Sequence, residues 1–162
     1  MACGDRLMPA SIREFIDEPS LQSGEVLYRA VDPVYIDDWS SPIPDIPTRA
    51  WQDQKQDVAA KWGLGPCASV AVASLLIKHG STVEAWLEKF FQSSYGVVKT
   101  TVGEVRAATS ALGSPTPQGV MLHPTVDQPW HAVVWSKKGS KRSKGEMKAL
   151  VTVSTWHRHP AR

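Results

Sequence analysis

The sequence predicts an α+β fold: a single domain with a small mixed or antiparallel sheet packed by three to four helices. Three observations predict it. Short runs with strand alternation, such as Glu25–Val31 (EVLYRAV), stand apart from segments with helical spacing. Ser/Thr-x-x-Glu capping boxes mark helix starts at Ser81, Thr101 and Ser143. Strands and helices alternate without a regular βαβ period, which argues against a doubly wound parallel sheet. The 162 residues suit one domain, and a chain of this size buries roughly two thirds of the surface its unfolded form exposes.

Residues 1–24 read as an N-terminal segment. Within it Ser11-Ile-Arg-Glu14 has capping-box spacing ahead of Phe15 and Ile16, so a short helix is expected, ended by Pro19. The domain proper is expected over 25–156. Its first strand is EVLYRAV, with Leu27 and Arg29 on one face and Val26, Tyr28 and Ala30 on the other. From 32 to 47 four prolines interrupt any regular element, and a loop this long in a small domain is often functional. Asp53–Trp62 is expected to be helical.

Gly63-Leu-Gly-Pro66 is a turn, and the small-residue run CASVAVASLLIKHG from Cys67 reads as a buried helix closed by Gly80. Its valine-rich beginning, Ala68–Ala73, could instead be a strand. After Ser81 the residues Val83, Trp86, Leu87, Phe90 and Phe91 follow the i, i+3, i+4, i+7, i+8 rule of an amphipathic helix. Strands are expected near 95–100, 119–122 and 131–136, and helices over 81–92, 101–112 and from Ser143. Residues 157–162 read as an exposed basic tail.

Composition narrows the function classes. No apolar run approaches the roughly 18 residues of a membrane span, and MACGDRLMPA lacks a signal-peptide core, so a cytoplasmic protein without membrane contact is expected. Two cysteines do not make a disulfide framework. The net charge is only +2, yet Lys137, Lys138, Lys141, Arg142, Lys144 and Lys148 crowd into one segment, a candidate contact for a nucleotide or nucleic acid. Seven tryptophans scattered along the chain suit core and rim packing better than a single base-stacking platform.

Chemistry is expected around His123–Trp135 (HPTVDQPWHAVVW), where His123 and His131 stand eight residues apart across a turn. Paired imidazoles of near-neutral pKa can serve as general acid and base. With Asp127 between them they could also meet one divalent ion, but the crowded ligand pattern of a metal site is missing, and none is predicted. A second grouping joins Tyr28-Arg29 and Thr48-Arg49 to His123 and His131, with Trp130 as a further candidate for substrate binding: arginine offers a rigid fork of donors for phosphate, and histidine and tyrosine can stack on or hydrogen-bond to a base or ribose. A third pairs Cys67, at the start of a helix whose free amides would favour thiolate, with His131.

GPCASVAVASLL and HAVVW resemble the cysteine helix and histidine strand of papain-like hydrolases, in particular the peptidase domains that process bacteriocin leaders. That resemblance implies a thiol nucleophile at Cys67 and a base at His131. The chain departs from that pattern in placing Gln54 and Gln56 13 and 11 residues ahead of the cysteine, and in having no acid or amide between Trp135 and Glu146. The order of a YR strand, a Pro-Thr-Arg-aromatic segment and a later small-residue run resembles the ADP-ribosyltransferase-like fold of Arg/Glu/Ser-type toxins. It implies NAD as a substrate and Arg29 as its phosphate clamp, with Glu84, Glu104 or Glu146 for the ribose. LYRAVDP, IPTRAW, SVAV, YGVVKTTVGEVRA and HPTVDQPWHAVV together resemble a group of small bacterial proteins that carry no assigned activity.

The expectation is therefore a small toxin-like or effector enzyme acting on a nucleotide, NAD or nucleic acid, with His131 and His123 as acid and base and Arg29 holding phosphate. A Cys67/His131 thiol hydrolase is the alternative mechanism. A noncatalytic immunity or adaptor protein is the alternative class, its Pro-rich loop and exposed tryptophans forming the contact surface for a protein partner such as an antitoxin.

Overall fold

A computed structural model describes residues 14–110 and 112–162. Six strands, β1 (Val26–Val31), β2 (Ala68–Val72), β3 (Gly96–Thr101), β4 (Gln118–Leu122), β5 (His131–Ser136) and β6 (Thr155–Arg158), form one antiparallel sheet in the order β4-β5-β2-β1-β3-β6. Five helices pack on it: α1 (Gln56–Lys61), α2 (Ala73–Lys78), α3 (Val83–Phe90), α4 (Val102–Arg106) and α5 (Lys144–Thr152). Single 3-10 turns cover Pro33–Tyr35 and Thr48–Trp51. The α+β class with an antiparallel sheet is thus observed.

The capping chemistry works as the spacing predicts at two of three places. Thr101 accepts from the Glu104 amide while Glu104 reaches back to the Thr101 amide, and Ser143 and Glu146 do the same for α5. At the third the cap is Thr82, which accepts from the Ala85 amide, one residue later than expected. Gly80, at φ 72, closes α2 in the left-handed region.

Alternation along the strands divides the sheet into two faces. On the first, Leu27 and Val31 of β1 join Val70, Val72, Ala132, Val134, Val98 and Val120 beneath α4, α5 and the Thr48–Trp51 turn. Trp51 is fully buried there and donates its indole N–H to Ser154 at 3.0 Å. Each large apolar side chain removed from water in this way contributes roughly 1.5–3 kcal/mol. The second face carries two separate clusters. One gathers Ala71, Leu76, Trp86, Leu87, Val97 and Trp130 under α2 and α3. The other gathers Leu64, Cys67, Met121 and Val133, with Phe15, Trp62 and Trp135 packed against it.

The run from Cys67 is a strand before it is a helix: β2 takes Ala68–Val72 and α2 only Ala73–Lys78. Five of the six residues from 68 to 73 are valine or alanine, with Ser69 the exception, and such a run fits a strand buried on both faces. The tail also differs from expectation. Thr155–Arg158 pairs with β3, and the chain beyond it stays docked through the Ala161 amide on the Ser94 carbonyl at 2.9 Å. The expected helix near Ser11 lies partly outside the described residues; from Glu14 to Glu18 the chain is extended and covers the edge of β4. There the Glu18 amide donates to Val120 at 2.8 Å and Asp17 accepts from the Val120 amide, a common way of shielding an open sheet edge. Arg106 and Lys137 bind the Asp17 carboxylate at 3.0 and 2.9 Å and hold this strap in place.

Candidate functional site

The candidate site lies on the second face of the sheet, between its two apolar clusters. Along β2 the side chains facing this side are Cys67, Ser69 and Ala71; the first belongs to one cluster, the last to the other, and Ser69 stands between them. On the neighbouring β5, His131 is opposite Ala71 and Val133 is opposite Ser69. The strand register therefore sets the serine and the histidine diagonally across one ladder, within reach of long side chains. Just beyond β4, His123 donates its amide to the His131 carbonyl at 2.9 Å and so closes the turn that joins the two strands.

Both nitrogens of His131 are engaged. Nε2 meets the Ser69 hydroxyl in a short hydrogen bond. Nδ1 lies 2.9 Å from the His123 carbonyl oxygen and 3.1 Å from His123 Nδ1. A carbonyl only accepts, so its bond requires the proton on Nδ1 and leaves the Nε2 lone pair to accept from the Ser69 hydroxyl. The Trp62 indole covers both rings, 4.9 Å from the centre of His131 and 5.4 Å from that of His123. His131 is 3 % exposed. Burial pushes its pKa down to about 4, against the lifting effect of the His123 carbonyl, so the ring is neutral at pH 7. Ser69 itself is only half-buried.

The other expected site residues are not brought here. Arg29 alternates with Leu27 and Val31 and lies on the opposite face of the sheet. It binds three main-chain carbonyls, Ala50 through Nε at 2.9 Å, Ser69 through Nη1 at 2.8 Å and Gln52 through Nη2 at 3.0 Å. The fork expected to clamp phosphate instead ties the Thr48–Gln52 segment to β2. Pairing between β1 and β2 is confined to Leu27 with Val72 and Tyr28 with Ala71, and the guanidinium bridges the strands where that ladder stops.

Cys67 does not begin a helix. It immediately precedes β2, fully buried, and burial pushes its thiol up to about 11, the reverse of the thiolate expected from a helix terminus. Tyr28 shares a face with Ser69 but stacks on His157 at 4.7 Å. Arg49 lies over the Tyr35 ring at 4.3 Å and donates to Gln52. Thr48 lines a hollow of about 330 Å³ in the Pro-rich loop, together with Asp37, Asp38 and Asp45. Trp130 is a core residue, edge-on to Phe90, and its indole N–H meets no partner among the described residues. Of the seven tryptophans, Trp51, Trp86 and Trp130 are buried and Trp39, Trp62, Trp135 and Trp156 half-buried, where fully exposed ones were expected.

Arg142 leaves the basic segment altogether. It is 4 % exposed, bound to Asp53 at 2.6 Å, to Gln118 through Nε and Nη2, and to the Val134 carbonyl.

Sequence reasoning missed Ser69 and Trp62. The signal for Ser69 was present: with β2 read as a strand, it is the one polar side chain in an apolar run, on the same face as Cys67 and Ala71. Trp62 gave no such signal, because its position over the histidines depends on how the Gly63-Leu64-Gly65 turn folds back.

Comparison with known protein families, with curated proteins and with solved structures found no match for this chain.

Proposed function

We propose that the protein is a small nucleophilic-serine enzyme, a hydrolase or group-transfer enzyme, in which Ser69 attacks the substrate and His131 is its base. The observation that carries this reading is the line from the half-buried Ser69 hydroxyl through both nitrogens of a buried imidazole to the His123 carbonyl. Nucleophile, base and orienting group within hydrogen-bond reach of one another are the arrangement that activates a hydroxyl.

In the first step Ser69 Oγ forms a bond to an electrophilic acyl carbon or phosphorus as its proton passes to His131 Nε2. The imidazolium so formed keeps its Nδ1–H on the His123 carbonyl, and it returns the Nε2 proton to the leaving group as the old bond breaks. A water or acceptor alcohol, deprotonated by the same nitrogen, then bonds to the carbon or phosphorus as the bond to Ser69 Oγ breaks, and Nε2 returns the proton to the serine oxygen. With a resting pKa of about 4 the ring takes the proton only as negative charge develops on the substrate beside it. Trp62 keeps water from the two imidazoles, which strengthens that interaction.

This reading keeps His131 as the base of the thiol-hydrolase alternative and moves the nucleophile from Cys67 to Ser69. It does not need Arg29 on the substrate. The test is labelling with a fluorophosphonate probe, followed by peptide mapping. Wild-type protein is expected to carry the adduct on Ser69, and Ser69→Ala and His131→Gln to lose it while keeping the native circular dichroism spectrum. A folded wild-type protein that stays unlabelled would leave Ser69 and His131 as a satisfied core pair, and a noncatalytic binding protein as the better description.

A further inference from the structure

We infer that the segment 137–148 is a docking surface for the phosphate backbone of duplex nucleic acid, bound without regard to base sequence. The inference is independent of the chemistry at Ser69 and starts from how the fold sorts the charges of KKGSKRSKGEMK. The segment holds one acid, Glu146, and the fold takes it inside. At 2 % exposure it accepts from Gln118 at 2.8 Å, from the Ser136 hydroxyl and from the Ser143 amide. The one arginine, Arg142, is internal as well and is neutralised by Asp53. Lys137 is paired with Asp17.

What remains at the surface is Lys138, Lys141, Lys144 and Lys148, all exposed and, among the described residues, none in an ion pair. The internal bonds of Arg142 and Glu146 anchor the backbone at residues 142, 143 and 146, between Lys141 and Lys148.

Their placement works against the protein's own electrostatics. Lys144 is the first residue of α5, where the helix dipole is already positive, and Lys144 and Lys148 are like charges four residues apart on one helix face. Neither arrangement helps the folded chain, and both suit an anionic partner with repeating charges.

The remaining surface chemistry selects among polyanions. The other residues of the segment are glycines, serines and the half-buried Met147. A membrane-surface segment would set tryptophan, phenylalanine or leucine beside the lysines, and a single-strand binder would offer aromatic rings for bases to stack on. Lysines on a small-residue backbone offer ammonium groups to phosphates and no rings to bases, and a duplex presents phosphates at close and regular spacing.

The experiment is fluorescence anisotropy of a labelled short DNA duplex against the whole protein over a range of salt concentrations. Four phosphate contacts predict a slope of log K against log salt of about −3.6. Each Lys→Gln change at 138, 141, 144 or 148 is expected to reduce the slope by about 1, whichever duplex sequence is used. Lys89→Gln, in α3 on the other side of the sheet, is expected to leave binding unchanged. Absence of saturable binding at low salt would overturn the inference. So would a slope unaffected by the quadruple variant, or binding to phosphatidylglycerol vesicles without binding to the duplex.

Discussion

At the scale of single residues, environment decides what a side chain can do. Cys67 and His131 look alike in the sequence as chemical candidates, and the fold treats them differently: the thiol is sealed and raised to about 11, while the imidazole keeps hydrogen-bond partners at both ends. The buried neutral histidine has a measurable consequence. Its folded pKa, about 4, lies below the 6.5 of an unperturbed imidazole, so the unfolded chain binds the extra proton between these values. Stability is therefore fully present above pH 6.5 and is lost as pH falls toward 4, by about 3 kcal/mol from this group. Urea unfolding at pH 7 and pH 4.5 should show that loss in the wild type and a smaller one in His131→Gln. An equal loss in both would assign the acid sensitivity to other groups.

At the scale of elements, much was legible. The strands at 26–31 and 131–136 and the capping boxes at Thr101 and Ser143 follow from local patterns that tertiary contacts reinforce. The division of β1 into an Arg29 face and a Tyr28 face was legible too, and it already separates Arg29 from any site on the Tyr28 side. The failures have physical causes. Ala68–Val72 is apolar on both sides because the strand is covered on both, so it lacks the alternation that marks a half-buried strand. The second half of β6, His157 and Arg158, was read as tail because both side chains are polar or basic, and an edge strand is stabilised by the ladder it joins, here β3. The serine of the candidate site was hidden by the first of these errors, since a helix would have turned Ser69 away from the ladder with His131.

At the scale of the whole molecule, the basic segment shows why charge runs cannot be interpreted from composition alone. Arg142 reads as part of a surface charge run, yet with Glu146, Asp53, Gln118 and Ser136 it forms a buried network that joins β4, β5, α5 and the chain after Trp51. Asp53→Asn removes the charge partner of a buried guanidinium and is expected to cost about 3–5 kcal/mol, or about 10 °C in melting temperature. Calorimetry of this variant measures it, and a change under about 1 kcal/mol would mean that Glu146 alone suffices to balance Arg142. The network and the Asp17 strap hold one end of β4 and β5, and the His123–His131 turn joins the other. The serine and histidine are thus seated on the middle of a sheet braced at both ends. The account rests on His131 being a neutral imidazole with its proton on Nδ1 and its Nε2 lone pair facing Ser69, and nitrogen-15 NMR of the histidine side chains reads this state directly. The result predicted is a neutral Nδ1–H tautomer that persists to about pH 4 and whose Nε2 signal shifts in Ser69→Ala. A ring protonated on Nε2, or one titrating near 6.5 with no response to the loss of the serine hydroxyl, would contradict it.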